Sequence, residues 1–399
     1  MSLNYSSNGY PFGAAVLGGD YQGLGIVRSL GRLGVPIWVI DDEISISRYS
    51  RYSTFTDRIA DLRDPSKTAG ALIELAKRRV LKGWVLFPTR DENVAAISRA
   101  KDELSEYFRI PTPAWSAIEF LWDKRKTYRL AGELGIPCPR TWTPETEEEL
   151  EEVYPHLPVA LKPAIKEHFI YATGDKAWRA DTPEQLRKLF ARGSQIVPKG
   201  ELMVQDLIPG NGSSQFAYCA FFKDGKAVGS LMARRQRQHP PEFGRSSTYV
   251  ETVEVPEIEC YSQKFLKAIN YYGLVEVEYK RDERDGQYRI LDVNGRTWGY
   301  HTIGRAAGVD FPALLFNDQL GRSAEPARGK PDVHWIRVLT DFPTSIGEIF
   351  RGNLPLGSFL RTVRNADEEA VYTWDDPVPG CAEIALIPYL MARRGFFNR

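Results

Sequence analysis

Two β-rich runs joined by a short polar segment constrain the fold of this chain more than any other part of its sequence. Residues 275–279 and 288–296 are rich in Val, Ile and Tyr, and an Asp-Gly pair at 285–286 lies between them. An Asp-Gly pair between two such runs is typical of a β-hairpin turn. A turn at this place puts Glu278 on one strand opposite Asp292 on the other.

One face of this hairpin carries oxygen ligands. Because side chains alternate along a strand, Asp292, Asn294 and Arg296 share the face that looks toward Glu278. Two carboxylates and an amide oxygen are hard ligands that suit Mg²⁺, which usually shares its sites with substrate phosphates. The alternative is a surface hairpin with solvated charges, but the apolar residues that alternate with the polar ones indicate a buried opposite face. We therefore predict a site for a metal–nucleotide, with Glu278, Asp292 and Asn294 as metal ligands.

The N-terminal part follows the pattern of a doubly wound α/β domain. Residues 14–19 indicate a buried strand that runs into a glycine-rich turn, 21–33 a helix and 36–42 the next strand. A second such unit covers 68–91. It ends in the polar run 89–93 at the carboxyl end of a strand, where ligands of open α/β sheets bind.

The glycine-rich turn also raises the alternative of a dinucleotide site. Its glycines do not fall into the GxGxxG register, although Asp41 lies near the distance expected for a ribose contact. The competing interpretation is a turn in which glycine lets strand and helix pack closely. An NAD(P)-dependent dehydrogenase is therefore the weaker alternative.

Composition argues against several classes of partner. Lysine plus arginine and aspartate plus glutamate both number 52, so no net field recruits nucleic acid or acidic membrane. The 4 cysteines have no metal-binding spacing and are expected to be reduced thiols. The N-terminus lacks the features of a signal peptide, and no apolar run approaches the roughly 20 residues that span a bilayer. We expect a cytoplasmic protein without nucleic-acid or membrane partners, and we leave a homodimer open.

Four segments in sequence order resemble the nucleotide-binding elements of the ATP-grasp superfamily, which includes D-alanine–D-alanine ligase, biotin carboxylase and the carbamoyl phosphate synthetase large chain. The matching segments are Asp123-Lys124, Leu161-Lys162-Pro163, residues 204–210 and the hairpin. The resemblance implies an α/β and α+β protein, in which an N-terminal doubly wound parallel sheet domain (1–118) precedes an ATP-grasp domain of two α+β subdomains (119–315). A small lid subdomain would cover about 136–205, and 316–399 would pack on the body.

The resemblance implies a role for each matched residue. Lys124 and Lys162 would contact the nucleotide phosphates, and Gln205 with the backbone near Leu207 would contact the adenine. Glu278 and Asp292 would hold the nucleotide through the metal that they share with Asn294. The transferred phosphoryl group or the substrate would be stabilised by Arg296 and by a basic residue of the run 234–237, for which Arg235 and Arg237 are the alternatives.

Two departures from the superfamily pattern stand out. Asp292 replaces the commoner glutamate and shortens its reach by one methylene. The glycine-rich phosphate loop that usually follows the strand lysine is replaced by residues 164–176, which contain a single glycine. Either side chains take the place of glycine amides, with Lys166, His168, Thr173 and Lys176 as candidates, or the loop binds something other than the γ-phosphate.

The implied function is that of an ATP- and Mg²⁺-dependent ligase, with Mn²⁺ as an alternative ion. It would activate a small carboxylate as an acyl phosphate and join it to a small amine. The domain order also resembles carboxylate–amine ligases related to D-aspartate ligase. The alternatives are an ATP-dependent carboxylase that activates bicarbonate and a non-catalytic nucleotide-binding protein.

The last segment, residues 381–399, combines apolar residues with three arginines. It is either a membrane-surface anchor or a segment docked on the body of the protein or on a second subunit. Pro388 interrupts a continuous amphipathic helix, and three arginines give little attraction to anionic lipid. We predict docking.

Overall fold

A computed structural model describes residues 12–60, 62–79, 81–241, 243–244 and 246–393. Within these residues the strands form three sheets of five, eight and four strands. The five-stranded sheet belongs to the N-terminal part, and the other two are formed by the rest of the chain.

The N-terminal sheet is parallel throughout, with the strand order β3-β2-β1-β4-β5. Alternate residues of its central strand pack into two different hydrophobic clusters, because helices cover both faces of the sheet. The predicted doubly wound sheet is confirmed. Its elements are β1 (Ala14–Leu17), α1 (Tyr21–Arg32), β2 (Ile37–Asp41), β3 (Phe55–Arg58), α2 (Pro65–Arg79), β4 (Trp84–Pro88), α3 (Asp91–Arg99), α4 (Lys101–Ser105) and β5 (Phe108–Arg109).

The glycine-rich turn after β1 serves packing inside the protein. Gly18 has a φ of +91°, and a Cβ atom there would lie 2.2 Å from the Thr89 hydroxyl. The Gly19 amide donates to the Asp41 carboxylate over 2.6 Å, and the Arg90 guanidinium donates to the same carboxylate over 2.9 Å. Asp41 is therefore occupied by protein partners, which favours the packing interpretation of this turn over the dinucleotide interpretation.

The four-stranded sheet is antiparallel and has the order β6-β9-β7-β8. It has a hydrophobic cluster of its own, to which both neighbouring 3-10 turns and the helices α7 and α8 contribute. The elements of this part are α5 (Trp115–Trp122), α6 (Lys124–Glu133), β6 (Thr141–Trp142), β7 (Val159–Pro163), α7 (Lys166–Thr173), β8 (Trp178–Ala180), α8 (Pro183–Gly193) and β9 (Leu202–Asp206).

The eight-stranded sheet has the order β14-β13-β10-β11-β12-β16-β17, with β15 added beside β11. The predicted hairpin is formed by β13 and β14. The elements of this part of the chain are β10 (Gln215–Lys223), β11 (Lys226–His239), β12 (Ser246–Val253), α9 (Pro256–Ala268), β13 (Gly273–Arg281), β14 (Tyr288–Asn294), α10 (Ile303–Ala307), α11 (Phe311–Gln319), β15 (Ala327–Arg328) and β16 (His334–Ile336). They are followed by α12 (Val338–Phe350), α13 (Leu356–Arg364), β17 (Glu368–Glu369), α14 (Val378–Ala385) and α15 (Ile387–Arg393).

The register of the hairpin agrees with the sequence prediction. Glu278 lies opposite Asp292, and Glu276 lies opposite Asn294. A bulge follows, because Tyr279 pairs with Ile290. The pairing on the turn side of the bulge is therefore shifted, while the four polar residues keep a common face.

The part of the chain after residue 316 contacts the rest of the protein. Its strands β16 and β17 extend the large sheet beyond β12. The Arg337 guanidinium donates to Glu383 of α14 over 2.8 Å, and the Tyr389 hydroxyl accepts from the Ile44 amide over 3.2 Å. These contacts agree with the docking prediction up to residue 393, and residues 394–399 lie outside the described residues. In the part of the chain that the structure describes, no helix has the length and apolar character needed to cross a bilayer.

Deletion of residues 383–399 is expected to lower the melting temperature by roughly 5 °C or more. The deletion leaves the buried Arg337 guanidinium without its Glu383 partner, and breaking a buried ion pair costs about 3 kcal/mol. Differential scanning calorimetry measures the shift, and removal of 394–399 alone is the control. An unchanged melting temperature, or vesicle binding that the deletion abolishes, would contradict docking as the role of this segment.

Candidate functional site

The predicted hairpin face lines a cleft where all three parts of the fold meet. Asp91 begins α3 at the end of the N-terminal sheet, Lys124 begins α6, and Lys166 begins α7. These three line the cleft together with Asp292 and Asn294 of β14. The Lys124 amide donates to the Ala164 carbonyl over 3.1 Å, which fixes the start of α6 to the segment after β7.

The polar side chains of the hairpin contact one another. The Asn294 carboxamide donates to Glu278 and to Glu276, each over 3.0 Å. The Lys124 ammonium forms an ion pair with Asp292. Burial alone would raise the pKa of Asp292, but the ammonium groups of Lys124 and Lys166 hold it below its ordinary value.

Arg296 connects the hairpin to the N-terminal sheet. Its guanidinium donates to the Asn294 oxygen over 3.2 Å and to both carboxylate oxygens of Asp91 over 2.7 and 3.0 Å. Asp91 also forms an ion pair with Lys166. Burial acts to raise the pKa of Asp91, but the two cationic partners lower it well below its ordinary value. Asp91 was not predicted as a site residue, although it belongs to the polar run 89–93, which was expected to lie where ligands bind.

Glu276 is a second site residue that the sequence analysis missed. It shares the hairpin face with Glu278 and accepts a hydrogen bond from the Tyr300 hydroxyl over 2.7 Å. Burial, and then the negative charge of Glu278, raise the pKa of Glu276 to about 7. The alternation of valine and glutamate along β13 placed it beside Glu278 and was the signal that could have found it.

The two candidate arginines of β11 lie in different surroundings. The Arg235 guanidinium lies 3.5 Å from the Glu278 carboxylate and donates to the Gln215 side chain over 2.6 Å. Its Nε is buried without a hydrogen-bond partner in the described part of the chain. Arg237 instead donates to Asp341 of α12 over 2.7 and 2.9 Å. Arg235 therefore lies at the site, whereas Arg237 is paired with α12 outside it.

The nucleotide residues predicted on the small sheet have protein partners of their own. The Lys162 ammonium donates to the Tyr128 hydroxyl over 2.7 Å, and that hydroxyl donates to the Leu291 carbonyl of the hairpin over 2.8 Å. Gln205 is buried in β9, where its carboxamide donates to the Thr141 hydroxyl over 2.7 Å. Leu207 follows β9 and is half-buried. No carboxylate pairs with Lys162 in the described residues, so the structure does not support an internal salt bridge.

Replacement of Lys162 by methionine is expected to weaken ATP binding about 10-fold or more. The change keeps the length of the side chain but removes the charge, and charged hydrogen bonds contribute about 1.5–3 kcal/mol. Isothermal titration with a non-hydrolysable ATP analogue measures the affinity, and Lys199→Met, an exposed lysine of the same part, is the matched control. Unchanged affinity would make Lys162 a structural partner of Tyr128 only.

The segment in place of the glycine-rich loop is largely helical. Residues 166–173 form α7, which brings Lys166 to Asp91. Lys176 donates to the Gly244 carbonyl over 3.0 Å, and burial lowers the pKa of its ammonium to about 8. His168 lies 2.7 Å from Glu201, and the Thr173 hydroxyl donates to the Phe169 carbonyl within its own helix. Of the four candidate side chains, Lys166 and Lys176 are therefore the two that lie among the charged residues of the site.

The donor set of the hairpin fits a divalent cation. Each predicted oxygen ligand faces a cationic side chain, namely Lys124 at Asp292, Arg235 at Glu278 and Arg296 at Asn294. Oxygen atoms that need positive charge on every side are the kind that Mg²⁺ satisfies. The set holds two carboxylates and one amide, and no cluster of three or more His, Cys, Asp or Glu side chains suited to a metal occurs among the described residues.

The chain matches no protein-family model. Among the curated proteins to which it is similar in sequence are a ligase and a synthase. It is 28% identical over 296 residues to D-aspartate ligase of Enterococcus faecium (strain Aus0004), which covers 70% of this chain and 70% of that protein. It is 21% identical over 238 residues to the C-terminal section of the carbamoyl phosphate synthase large chain of Methanopyrus kandleri. The latter match covers 54% of this chain and 42% of that protein.

Solved structures of several ligases and carboxylases share the fold. N5-carboxyaminoimidazole synthetase of Staphylococcus aureus superposes with a TM-score of 0.61 at 13% identity, covering 79% of each chain. L-amino acid ligase of Bacillus licheniformis gives 0.59 at 16% identity, covering 78% of this chain and 75% of the other. Biotin carboxylase of Campylobacter jejuni gives 0.63 at 16% identity, covering 80% and 74%. Together with the sequence similarities, these likenesses confirm the resemblance to ATP-grasp ligases and the predicted fold class.

Proposed function

We propose that this chain is an ATP-grasp ligase that activates a small carboxylate as an acyl phosphate and joins it to an amine. Glu278, Asp292 and Asn294 would hold Mg²⁺, or Mn²⁺ in its place. The similarity to D-aspartate ligase makes D-aspartate the first candidate carboxylate. We also propose that the chain is divided into domains at 1–118, 119–315 and 316–399. We further propose a cytoplasmic location and a homodimer, and the mass of the homodimer can be measured by light scattering.

The residues of the chain would act by position and charge. Lys124 and Lys162 bind the phosphates of ATP, while Arg235 and Arg296 stabilise the transferred phosphoryl group. Bound Mg²⁺ would supply neutralisation of the charge on the phosphate oxygens. Because positioning and electrostatics carry phosphoryl transfer of this kind, the reaction needs no covalent protein nucleophile.

The observation that carries the proposal is the position of Arg296. Its guanidinium contacts Asn294 on the hairpin and Asp91 on the N-terminal sheet, and it also lines a second cavity of about 610 Å³. A phosphoryl group held by Arg296 at the hairpin would therefore meet a substrate in the second cavity. This arrangement supports transfer between two bound substrates rather than simple nucleotide binding.

Trapping of the acyl phosphate tests the function. The protein is incubated with ATP, MgCl₂ and hydroxylamine, together with D-aspartate, other amino acids or small carboxylates one at a time. Carboxylate-dependent release of ADP with hydroxamate formation is the expected result. Bicarbonate-dependent ADP release without hydroxamate would favour the carboxylase, and ATP binding without turnover for the whole panel would favour a non-catalytic nucleotide-binding protein.

A further inference from the structure

The second cavity shares a wall with the cleft of the hairpin. Asp91, Lys166 and Glu167 line both spaces. The remaining lining of the second cavity comes mainly from the carboxyl ends of the N-terminal strands and from α7. A group that crosses from the cleft to the second cavity must therefore pass these three side chains.

Most charges of this cavity are already paired with one another. Arg63 forms ion pairs with Asp42 and Glu43, over 3.0 and 3.2 Å. Arg90 pairs with Asp42 over 2.8 Å. Asp91 is held by Arg296 and Lys166, as described above. Arg393 of α15 also lines this cavity and forms no ion pair in the described part of the chain.

Two carboxylates of the cavity differ from this pattern. Glu92 is 5% exposed, and its hydrogen bond from the neutral Tyr171 hydroxyl spans 2.7 Å. Glu167 is 8% exposed, and its Oε1 accepts no hydrogen bond in the described part of the chain. The Lys166 ammonium lies 3.5 Å from that oxygen but forms its closer pair with Asp91. A buried carboxylate without a hydrogen-bonded cation is costly, so these two groups are suited to a cationic ligand.

The surroundings of Glu167 agree with this assignment. Burial is the main reason why the pKa of Glu167 lies above its ordinary value. Lys166 opposes this effect, and the nearby Asp91 and Glu92 add to it. A carboxylate in such a position binds a protonated amine favourably and accepts a proton more readily than a solvated one.

We propose that Glu92 and Glu167 form the subsite for the amine substrate in its ammonium form, and that Glu167 accepts the proton that the ammonium must lose. This inference rests on the proposed function and identifies the class of substrate that the second cavity binds. The carboxylate substrate belongs beside Arg296 and Lys166, which line the second cavity together with the two carboxylates. The amine then attacks from beside Glu92 and Glu167.

The step balances without a further reactant. The ammonium transfers one proton to the Glu167 carboxylate, and the lone pair that is freed attacks the carbonyl carbon of the acyl phosphate. A C–N bond forms and the C–O bond to phosphate breaks, so that the electron pair leaves with the phosphate. The second nitrogen proton goes to the departing phosphate, and Glu167 returns its proton to solvent.

Two nucleophiles of different charge test the subsite. Hydroxylamine is largely uncharged at neutral pH, whereas methylamine is a cation. With a carboxylate that gives hydroxamate in the screen above, Glu167→Gln is expected to lower kcat/KM for methylamine about 10-fold or more and to keep the hydroxylamine reaction within about 2-fold. Glu92→Gln is expected to act in the same direction, mainly through KM. Glu184→Gln, at an exposed glutamate of α8, is the matched control.

The retained hydroxylamine reaction also shows that each variant is folded and binds ATP and the carboxylate. Equal losses with both nucleophiles, or no loss with methylamine, would overturn the ammonium subsite while the proposed function stands. Failure of the wild type to form hydroxamate with any carboxylate would instead overturn the proposed function, and the subsite with it.

Discussion

Replacement of Asp292 by asparagine is expected to lower kcat by about 10³-fold while the protein remains folded. The change keeps the shape of the side chain but removes one of the two carboxylates proposed to hold the metal. Metal-ion stabilisation of phosphoryl-transfer charge contributes several kcal/mol, and about 4 kcal/mol corresponds to a factor of about 10³. Coupled-enzyme measurement of ADP release, with the carboxylate and amine in excess, gives the rate.

Two further variants distinguish the loss of a metal ligand from damage to the hairpin. Asn294→Ala is expected to behave like Asp292→Asn, because both positions belong to the same set of ligands. Asp285→Asn is the control, since Asp285 lies in the turn of the hairpin and pairs with Arg289. Wild-type rates in the Asp292 or Asn294 variant would contradict the assignment of the site, and a folding defect is excluded by equal melting temperatures.

Replacement of Arg296 by methionine is expected to lower kcat by about 10³-fold, with a smaller effect on the KM for ATP. The guanidinium is fixed by Asp91 at 2.7 and 3.0 Å, so it is positioned before the substrates bind. An arginine that stabilises the charge of a transferred phosphoryl group contributes about 10³–10⁵ in kcat. Steady-state kinetics with varied ATP separates the two parameters.

The fold should tolerate this change, because Asp91 keeps its ion pair with Lys166. Arg289→Met is the matched control, since Arg289 lies on β14, which ends two residues before Arg296, and pairs with Asp282 and Asp285. A loss of kcat shared by both variants would show that the hairpin, and not the Arg296 charge, is responsible. Arg296→Lys is expected to recover little activity, because lysine cannot reproduce the two-pronged contact with Asp91.

Local chemistry was enough to predict the hairpin and the N-terminal sheet. The position of the Asp-Gly turn and the two-residue period of a strand fix which residues face one another, and Glu278 does lie opposite Asp292. The parallel order of the first sheet likewise follows from the alternation of apolar strands and amphipathic helices. These properties depend on neighbours in sequence, so the sequence by itself determined them.

The partners of the site residues depended on the tertiary structure. The resemblance to the superfamily left Arg235 and Arg237 as alternatives for one role, and the sequence did not distinguish them. Irregularities in the pairing of β11 with β12 on either side of Arg237 accompany their different surroundings, and only Arg235 reaches Glu278. Asp91 meets Arg296 across 205 positions of sequence, and Glu167 owes its role to burial between two cavities. Such contacts arise only when the three sheets pack together, because burial and long-range charge pairing are properties of the assembled fold and not of any one segment.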